Sequence, residues 1–135
     1  SIYDIVTAWD FFEHVPSLDD YFKEIRFVLK KEGWLFCTIP DISSMVARIT
    51  GEKWNCLLLE HLWYFTPTTF RQYIKKFGFS LYKIMPFSYS TDIGTVTKRL
   101  NQTYELPFQI TLPKIISEQT ISLPIGLMLC ICRKF

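Results

Sequence analysis

The amino-acid sequence predicts one α/β domain, and three observations support that prediction. Apolar runs of strand length alternate with amphipathic stretches of helical period, in the order strand, helix, strand, two helices, strand, a less regular segment and a last strand. The length of 135 residues suits a single domain. A hydrophobic content of 49%, with 17% aromatic residues, is enough for a core and excludes a disordered chain.

The first predicted elements are a strand and a helix. Residues 3–10 form a mostly apolar run that predicts a short buried strand. Ser17 is a favourable N-cap residue, and acidic residues follow it in the first turn, where they interact well with the helix dipole. The predicted helix at 17–30 carries one apolar stripe, formed by Leu18, Tyr21, Phe22, Ile25, Val28 and Leu29.

A second strand and a short helix come next. Residues 34–40 form another apolar run, which ends at a proline. Ser43 or Ser44 is expected to cap the short helix, and Gly51 is expected to end it. We predict that its inward-facing residues are Met45, Val46 and Ile49.

The third helix has the clearest start signal in the chain. Thr66 is a capping residue, and Pro67 occupies the first helical position. Gly78 is expected to end this helix, and residues 79–85 predict the third strand. Before this helix, residues 52–65 are rich in aromatic side chains and are predicted to be irregular.

The segment 87–125 is the least regular part of the sequence. Two prolines interrupt any long helix, so only short helices are expected, at 93–100 and 114–119. Residues 127–133 predict the last strand.

Charge and composition exclude several classes of protein. With 15 Lys and Arg against 13 Asp and Glu, the net charge of +2 argues against a broad nucleic-acid-binding surface. The longest apolar run, 123–132, is too short for a membrane-spanning helix, which needs about 20 residues. No Cys-x-x-Cys pair is present, so we predict buried, reduced thiols in a cytoplasmic protein, at Cys37, Cys56, Cys130 and Cys132.

Several segments together resemble a known family. In order, they are YDIVTAWD at 3–10, EHV at 13–15, RFVLK at 26–30, GWLF at 33–36, PD at 40–41, EHLWYFT at 60–66 and FGF at 77–79. At these spacings they resemble the second half of class I S-adenosylmethionine-dependent methyltransferases. The likeness is closest to the small-molecule group that includes the ubiquinone-pathway O-methyltransferases. Residues 87–125 match no family that we can name.

The resemblance implies a partial Rossmann-like sheet. The family sheet has the strand order 3-2-1-4-5-7-6, with the seventh strand antiparallel. This chain, 1–135, would supply strands four to seven with their flanking helices, and 87–125 would be an insert. The cofactor-binding half, with its glycine-rich loop, is expected to be missing, because none of the five glycines forms a Gly-x-Gly pair. We therefore expect this fragment alone to be inactive.

The resemblance also implies one wall of the S-adenosylmethionine site. Ala8, Trp9 and Asp10 end the first strand and would line the methionine and adenosine side of the cofactor. The simpler interpretation is that Trp9 is a core residue and Asp10 an ordinary loop acid.

Two histidines are the candidate catalytic residues. His14 or His61 is suited to remove a proton from an acceptor hydroxyl near neutral pH. Aromatic residues near His61 are predicted to bind the methyl acceptor, namely Trp54, Trp63 and Tyr64. In the alternative interpretation, His14 only hydrogen-bonds the backbone, and the aromatic residues form a packed cover over a hydrogen-bonded His61.

A divalent metal site is a further alternative. Some related methyltransferases bind a metal through a carboxylate-x-x-Glu-His motif, and some of these add a downstream histidine. The matching residues here are Asp10, Glu13, His14 and His61. We favour a site without metal, because Glu-His is common at this place in family members that bind none. Asp10 also differs from the motif's glutamate by one methylene group.

The sequence therefore predicts methyl transfer from S-adenosylmethionine to an oxygen or nitrogen of a small molecule, as part of a longer chain. One rival hypothesis is a non-catalytic remnant or interaction module whose exposed first strand pairs with another chain. Whichever hypothesis holds, an exposed first strand leads us to expect self-association of this chain. A second rival is a different α/β enzyme, such as a nucleotide-sugar transferase.

Overall fold

The computed structural model describes residues 1–104 and 109–135, so residues 105–108 of the predicted insert lie outside the described part. The fold is α/β, as predicted. Two short 3₁₀ turns, Phe12–His14 and Gly51–Lys53, accompany the main elements. These elements are β1 (Tyr3–Ala8), α1 (Leu18–Val28), β2 (Leu29–Pro40), α2 (Met45–Thr50), α3 (Pro67–Lys75), β3 (Phe79–Asp92), α4 (Ile93–Tyr104), α5 (Lys114–Ser117) and β4 (Thr120–Lys134).

The four strands form one mixed sheet in the order β1-β2-β4-β3. β1 pairs with β2 in parallel, with Ile5 opposite Trp34. β4 runs antiparallel to β2, with Cys130 opposite Cys37. This is the order that the resemblance implies for strands four, five, seven and six, with the seventh antiparallel. The partial Rossmann-like sheet is therefore confirmed.

Helix α1 covers one side of the sheet with its predicted stripe. Leu18 and Phe22 are fully buried, and Ile25 is nearly so. Ser17 is the N-cap residue, but its hydroxyl donates to the Asp20 carboxylate (2.6 Å) and makes no hydrogen bond to the helix backbone. Tyr21, which the stripe includes, remains 40% exposed.

Helix α3 begins and ends as the sequence predicts. Thr66 and Thr69 form a reciprocal capping box, each hydroxyl accepting from the other residue's backbone N–H. At the end, Gly78 has a φ of +76°, which glycine adopts without strain. A Cβ at Gly78 would lie 1.8 Å from Nη1 of Arg26, which donates to the carbonyl oxygens of Phe77 and Gly78. Any larger residue would displace this link between α1 and α3.

Two burial predictions are wrong. β1 is buried on one face only. Val6 and Ala8 pack on the core, whereas Tyr3 and Ile5 point to the opposite face and are more than half exposed, because no described element covers them. In α2, Met45 is 76% exposed and Ile49 77% exposed. This helix is capped by Ser44 and ends at Gly51 as predicted, but it has only six residues and buries Ala47 instead.

The strands are longer than their apolar runs. β2 begins directly after α1, and the chain bulges near Glu32, whose φ is +66°, before regular pairing resumes at Trp34. β3 and β4 both extend into the segment predicted to be irregular. Strand pairing satisfies backbone hydrogen bonds whatever the side chains are, so hydrophobic patterning underestimates the length.

The described residues divide into two compact units. The first comprises 1–87 and 126–135 and contains the apolar core, which includes Phe12, Phe22 and Phe70. All four cysteines are free and buried, as predicted. Within the described residues, no helix has both the length and the apolar character needed to cross a membrane.

The second unit comprises residues 88–125. It contains α4 and α5, in the regions predicted to hold short helices. The Asp92 carboxylate accepts hydrogen bonds from the backbone N–H and the hydroxyl of Thr95 (both 2.7 Å), which caps the start of α4. Asn101 on α4 pairs with both backbone groups of Ile110.

Candidate active site

The end of β1 places the first candidate residues. Ala8 is buried in the core, whereas Trp9, directly after the strand, is 48% exposed. Asp10 has a φ of +50°, a left-handed conformation that costs a non-glycine residue energy. Its backbone N–H donates to the Thr38 hydroxyl on β2 (3.0 Å). This contact holds Asp10 at the carboxyl end of the parallel strand pair.

The 3₁₀ turn Phe12–His14 carries the next two residues. Phe12 is fully buried and stacks on Phe22 of α1, with ring centroids 5.0 Å apart. This anchor fixes the positions of Glu13 and His14. The backbone carbonyl of Glu13 accepts a 2.6 Å hydrogen bond from the N–H of Leu62, which ties the turn to the segment that carries His61.

His61 is held by its own loop in one tautomer. Its Nδ1 lies 2.8 Å from the carbonyl oxygen of Cys56, which can only accept a hydrogen bond. Nδ1 therefore carries the proton, and in the neutral ring Nε2 has a free lone pair. The same carbonyl accepts a hydrogen bond from the Tyr64 hydroxyl (3.1 Å), so this loop is held at two points.

These elements bring four polar side chains together. One ligand-type atom from each of Asp10, Glu13, His14 and His61 lies within 4.8 Å of the others. The rings of His14 and His61 meet edge to face, with centroids 4.6 Å apart, and Nε2 of His14 lies 3.9 Å from Oδ1 of Asp10. We call these four residues the acid–histidine cluster.

Glu13 is the most unusual member of the cluster. Its side chain is completely buried, and neither carboxylate oxygen has a hydrogen-bond partner. Burial raises the pKa of Glu13, and the nearby Asp10 carboxylate adds to the rise. The backbone N–H of Glu13 and the two histidines oppose this rise, but burial is the largest cause and the net direction is upward. Native proteins seldom leave a buried carboxylate without a partner. An orphan group of this kind needs a proton, a cation or a ligand to balance it.

The three aromatic residues predicted to bind the acceptor lie near His61 in the chain, but their polar atoms bind the protein itself. Nε1 of Trp63 donates to the carbonyl oxygen of Val15 (2.7 Å), and Tyr64 supports the His61 loop. Trp54 is only 3% exposed and packs against Gly126, where a Cβ would lie 2.7 Å from its Nε1. In this chain, all three residues help to hold the loop that carries His61.

Sequence reasoning missed two residues of the site. Thr38 lies inside an apolar strand, where nothing in the sequence distinguishes it from a core threonine. Phe87 stacks on Trp9, with ring centroids 6.4 Å apart and an angle of 24° between the rings. It lies 78 positions after Trp9, at the start of the segment that resembles no family, and no local pattern links the two.

Comparisons with solved structures show the fold. The chain is similar to a SAM-dependent methyltransferase of Thermotoga maritima, described as a possible histamine N-methyltransferase, with 16% identity and a TM-score of 0.56, over 98% of this chain and 56% of that one. It is also similar to a candidate methyltransferase of Bacillus halodurans, with 15% identity and a TM-score of 0.57. That match covers 98% of this chain and 64% of the other. A third similar structure is a candidate sarcosine dimethylglycine methyltransferase of Galdieria sulphuraria, with 16% identity and a TM-score of 0.53. That match covers 98% of this chain and 53% of the other.

The chain thus spans between about half and two thirds of the length of these three proteins. No curated protein sequence matches it significantly. A family profile described as a methyltransferase domain matches residues 1–84, which is more than half of the chain. This match and the observed strand order lead to the same conclusion: the chain belongs to the methyltransferase domain family, with the fold of class I S-adenosylmethionine-dependent methyltransferases.

Proposed function

We propose that the protein transfers a methyl group from S-adenosylmethionine to an oxygen or nitrogen atom of a small molecule, and that this chain supplies the acceptor side of the site. The observation that supports this proposal is the acid–histidine cluster at the carboxyl end of β1. In open α/β sheets, ligands bind at the carboxyl ends of the strands, near the point where strand order reverses. The cluster lies at that end of the sheet.

The histidines are the proposed catalytic residues. Methyl transfer needs in-line positioning of the acceptor, and a hydroxyl acceptor also needs a base to take its proton. His61 is suited to this role because its bond to the Cys56 carbonyl leaves Nε2 as the atom that can accept a proton. His14 lies against the His61 ring and is the second candidate base.

The cofactor is expected to contact Ala8, Trp9 and Asp10. These residues form one wall, and the chain has no Gly-x-Gly sequence whose backbone could approach the cofactor closely. We therefore expect calorimetry on this chain alone to show no micromolar binding of S-adenosylmethionine. A clear micromolar isotherm would contradict this half-site proposal.

The activity is tested with the longest natural form of the protein that contains this chain. It is incubated with S-adenosylmethionine and a panel of small hydroxyl and amine compounds, and release of S-adenosylhomocysteine is measured. We expect turnover that depends on His61. If this form binds S-adenosylmethionine but shows no turnover with any compound, the alternative of a non-catalytic methyltransferase-like module is favoured.

A divalent cation is a second candidate component, and the orphan carboxylate of Glu13 favours it. Two carboxylates and two imidazoles suit ions such as Mg²⁺, Mn²⁺ or Zn²⁺, so the residues fit a metal. Asp10, Glu13, His14 and His61 would hold it. A bound cation would supply Lewis-acid polarisation of an acceptor hydroxyl.

The metal proposal is tested on the chain itself by titration with Mn²⁺, followed by electron paramagnetic resonance. We expect Mn²⁺ to bind the wild-type chain and to bind Glu13→Gln at least tenfold more weakly. Glu24→Gln removes an exposed carboxylate on α1 and should leave binding unchanged. Equal binding to all three proteins would exclude the cluster as the metal site.

We also propose that the chain self-associates through β1. This strand is at the edge of the sheet, and Ile2, Tyr3 and Ile5 are each more than half exposed. An apolar edge strand with unpaired backbone groups is a template for pairing with another chain. A cytoplasmic location and the absence of nucleic-acid binding stay predictions.

A further inference from the structure

The rim of the acid–histidine cluster carries exposed aromatic rings. Trp9 and Phe11 flank Asp10 on its two sides in the chain and are 48% and 39% exposed. The Trp9 ring is stacked against the half-buried ring of Phe87 from β3, 6.4 Å away at 24°. This separation is within the range of attractive ring pairs. Binding pockets combine such apolar walls with a few convergent polar groups.

The two rings reach this place from opposite edges of the sheet. Trp9 follows β1 at one edge, and Phe87 belongs to β3 at the other. Phe11 makes edge-to-face contact with Tyr21 of α1, at 5.2 Å, and so is already engaged by α1. The Trp9–Phe87 pair is thus an aromatic surface directly beside the residue that begins the cluster.

We propose that Trp9 and Phe87 form a stacking platform that selects a planar aromatic acceptor whose hydroxyl reaches the acid–histidine cluster. This inference rests on the proposed function and names the class of its acceptor. Phe87 acts as a specificity-determining residue. The cofactor's adenine is also planar, and Trp9 is one of the residues expected to contact the cofactor, so Trp9 would contact both ligands. Phe87 comes from the opposite edge of the sheet and is assigned to the acceptor alone.

The test measures binding to the full chain and needs no methyl transfer. The probes are 2-naphthol and decahydro-2-naphthol, which share a hydroxyl and a carbon skeleton but differ in planarity, with adenosine as a third ligand. Dissociation constants are measured by ligand-observed NMR for the wild type and for Phe87→Leu, which keeps an apolar side chain but removes the ring. The control is Tyr82→Leu, an exposed aromatic residue of the same strand that contacts Trp34.

We expect the wild type to bind 2-naphthol about three- to tenfold more tightly than the saturated probe, which is the range that one ring contact supplies. Phe87→Leu should remove this preference without changing affinity for the saturated probe, and Tyr82→Leu should change neither. The proposal is overturned if 2-naphthol shows no binding or no preference in the wild type. It is also overturned if Phe87→Leu weakens adenosine binding alone. Planar selectivity in this chain, combined with no turnover in the longest natural form, would keep the platform as a binding site for planar aromatic ligands and refute the proposed methyl transfer.

Discussion

Replacing Glu13 by glutamine should stabilise the metal-free protein. Glu13 is fully buried, and its two carboxylate oxygens have no hydrogen-bond partner. Glutamine has almost the same shape, so Glu13→Gln leaves the packing of the turn intact and removes only the option of a charge. The change therefore isolates the electrostatic cost of this one carboxylate.

The size of the effect follows from that burial. An unsatisfied buried polar group costs about 1–3 kcal/mol, and more if it is charged. Because the glutamine amide is also left without a partner, we expect a net gain of about 1–2 kcal/mol in the free energy of unfolding at pH 7.5, the lower part of that range. In a chain of this size such a gain raises the melting temperature by several degrees.

The pH dependence has a definite sign. The pKa of Glu13 is raised in the folded protein, so the folded state keeps this proton to a higher pH than the unfolded state does. Protonated Glu13 therefore contributes stability that is fully present below about pH 4.3, the pKa of glutamate in the unfolded chain. This contribution is lost as the pH rises through the raised pKa of Glu13 in the folded protein. The advantage of Glu13→Gln should therefore be small near pH 4 and largest at neutral pH.

The assay is urea unfolding followed by circular dichroism, in EDTA, at pH 4 and pH 7.5. Glu24→Gln is the matched control, since its carboxylate is exposed on α1 and should change stability by less than about 0.5 kcal/mol. Adding Mn²⁺ should stabilise the wild type more than it stabilises Glu13→Gln, because the variant binds the ion more weakly. A Glu13→Gln protein that is less stable than the wild type at pH 7.5 in EDTA would refute the reasoning, because it would mean that the carboxylate has a compensating partner.

Three further predictions concern other parts of the molecule. In the longest natural form, His61→Ala should lower turnover by about 10²–10⁴-fold and leave the dissociation constant of S-adenosylmethionine unchanged. Lost cofactor affinity with intact acceptor kinetics would contradict the acceptor-side role of His61. Sedimentation coefficients of the wild-type chain should rise with protein concentration, while those of Ile5→Lys should stay constant. A wild type that is monomeric at every concentration would exclude pairing through β1. A thiol reagent at pH 7.5 should label no cysteine in the native chain and all four in urea, because all four are buried and burial raises the pKa of Cys56 to about 11 and that of Cys37 well above its usual value. Rapid native labelling would show that the thiols are accessible.

Some parts of the fold were predictable because their signals are local. The start of α3 is encoded by Thr66 and Thr69, which satisfy each other's backbone N–H groups within one turn, and by Pro67 at the first helical position. The apolar stripe of α1 recurs at helical spacing, and the buried residues Leu18 and Phe22 belong to it. Such features depend on residues three or four positions apart and need no knowledge of the rest of the chain.

Burial was predicted less well, because it depends on what covers a residue. Met45 and Ile49 have the right spacing for an inward face, yet both are exposed in a helix of only six residues. Ile5 belongs to an apolar run of the kind that fills sheet interiors, yet β1 is at the edge of this sheet. Hydrophobic periodicity gives the direction of a side chain, and only the tertiary structure decides whether another element packs there.

The sequence by itself determined the order of strands and helices, the resemblance to methyltransferases and the short spacing of Asp10, Glu13 and His14. The resemblance also grouped His61 with them, but the tertiary structure alone decided how His61 is held there, through the hydrogen bond from the Leu62 N–H to the Glu13 carbonyl. It alone also decided that Nε2 of His61 carries the free lone pair. It also decided that Glu13 is buried without a partner and that Phe87 stacks on Trp9. The physical reason is that, apart from the hydrogen bond between His61 and Cys56, these contacts join residues tens of positions apart. Their geometry is set by strand pairing and core packing across the whole sheet.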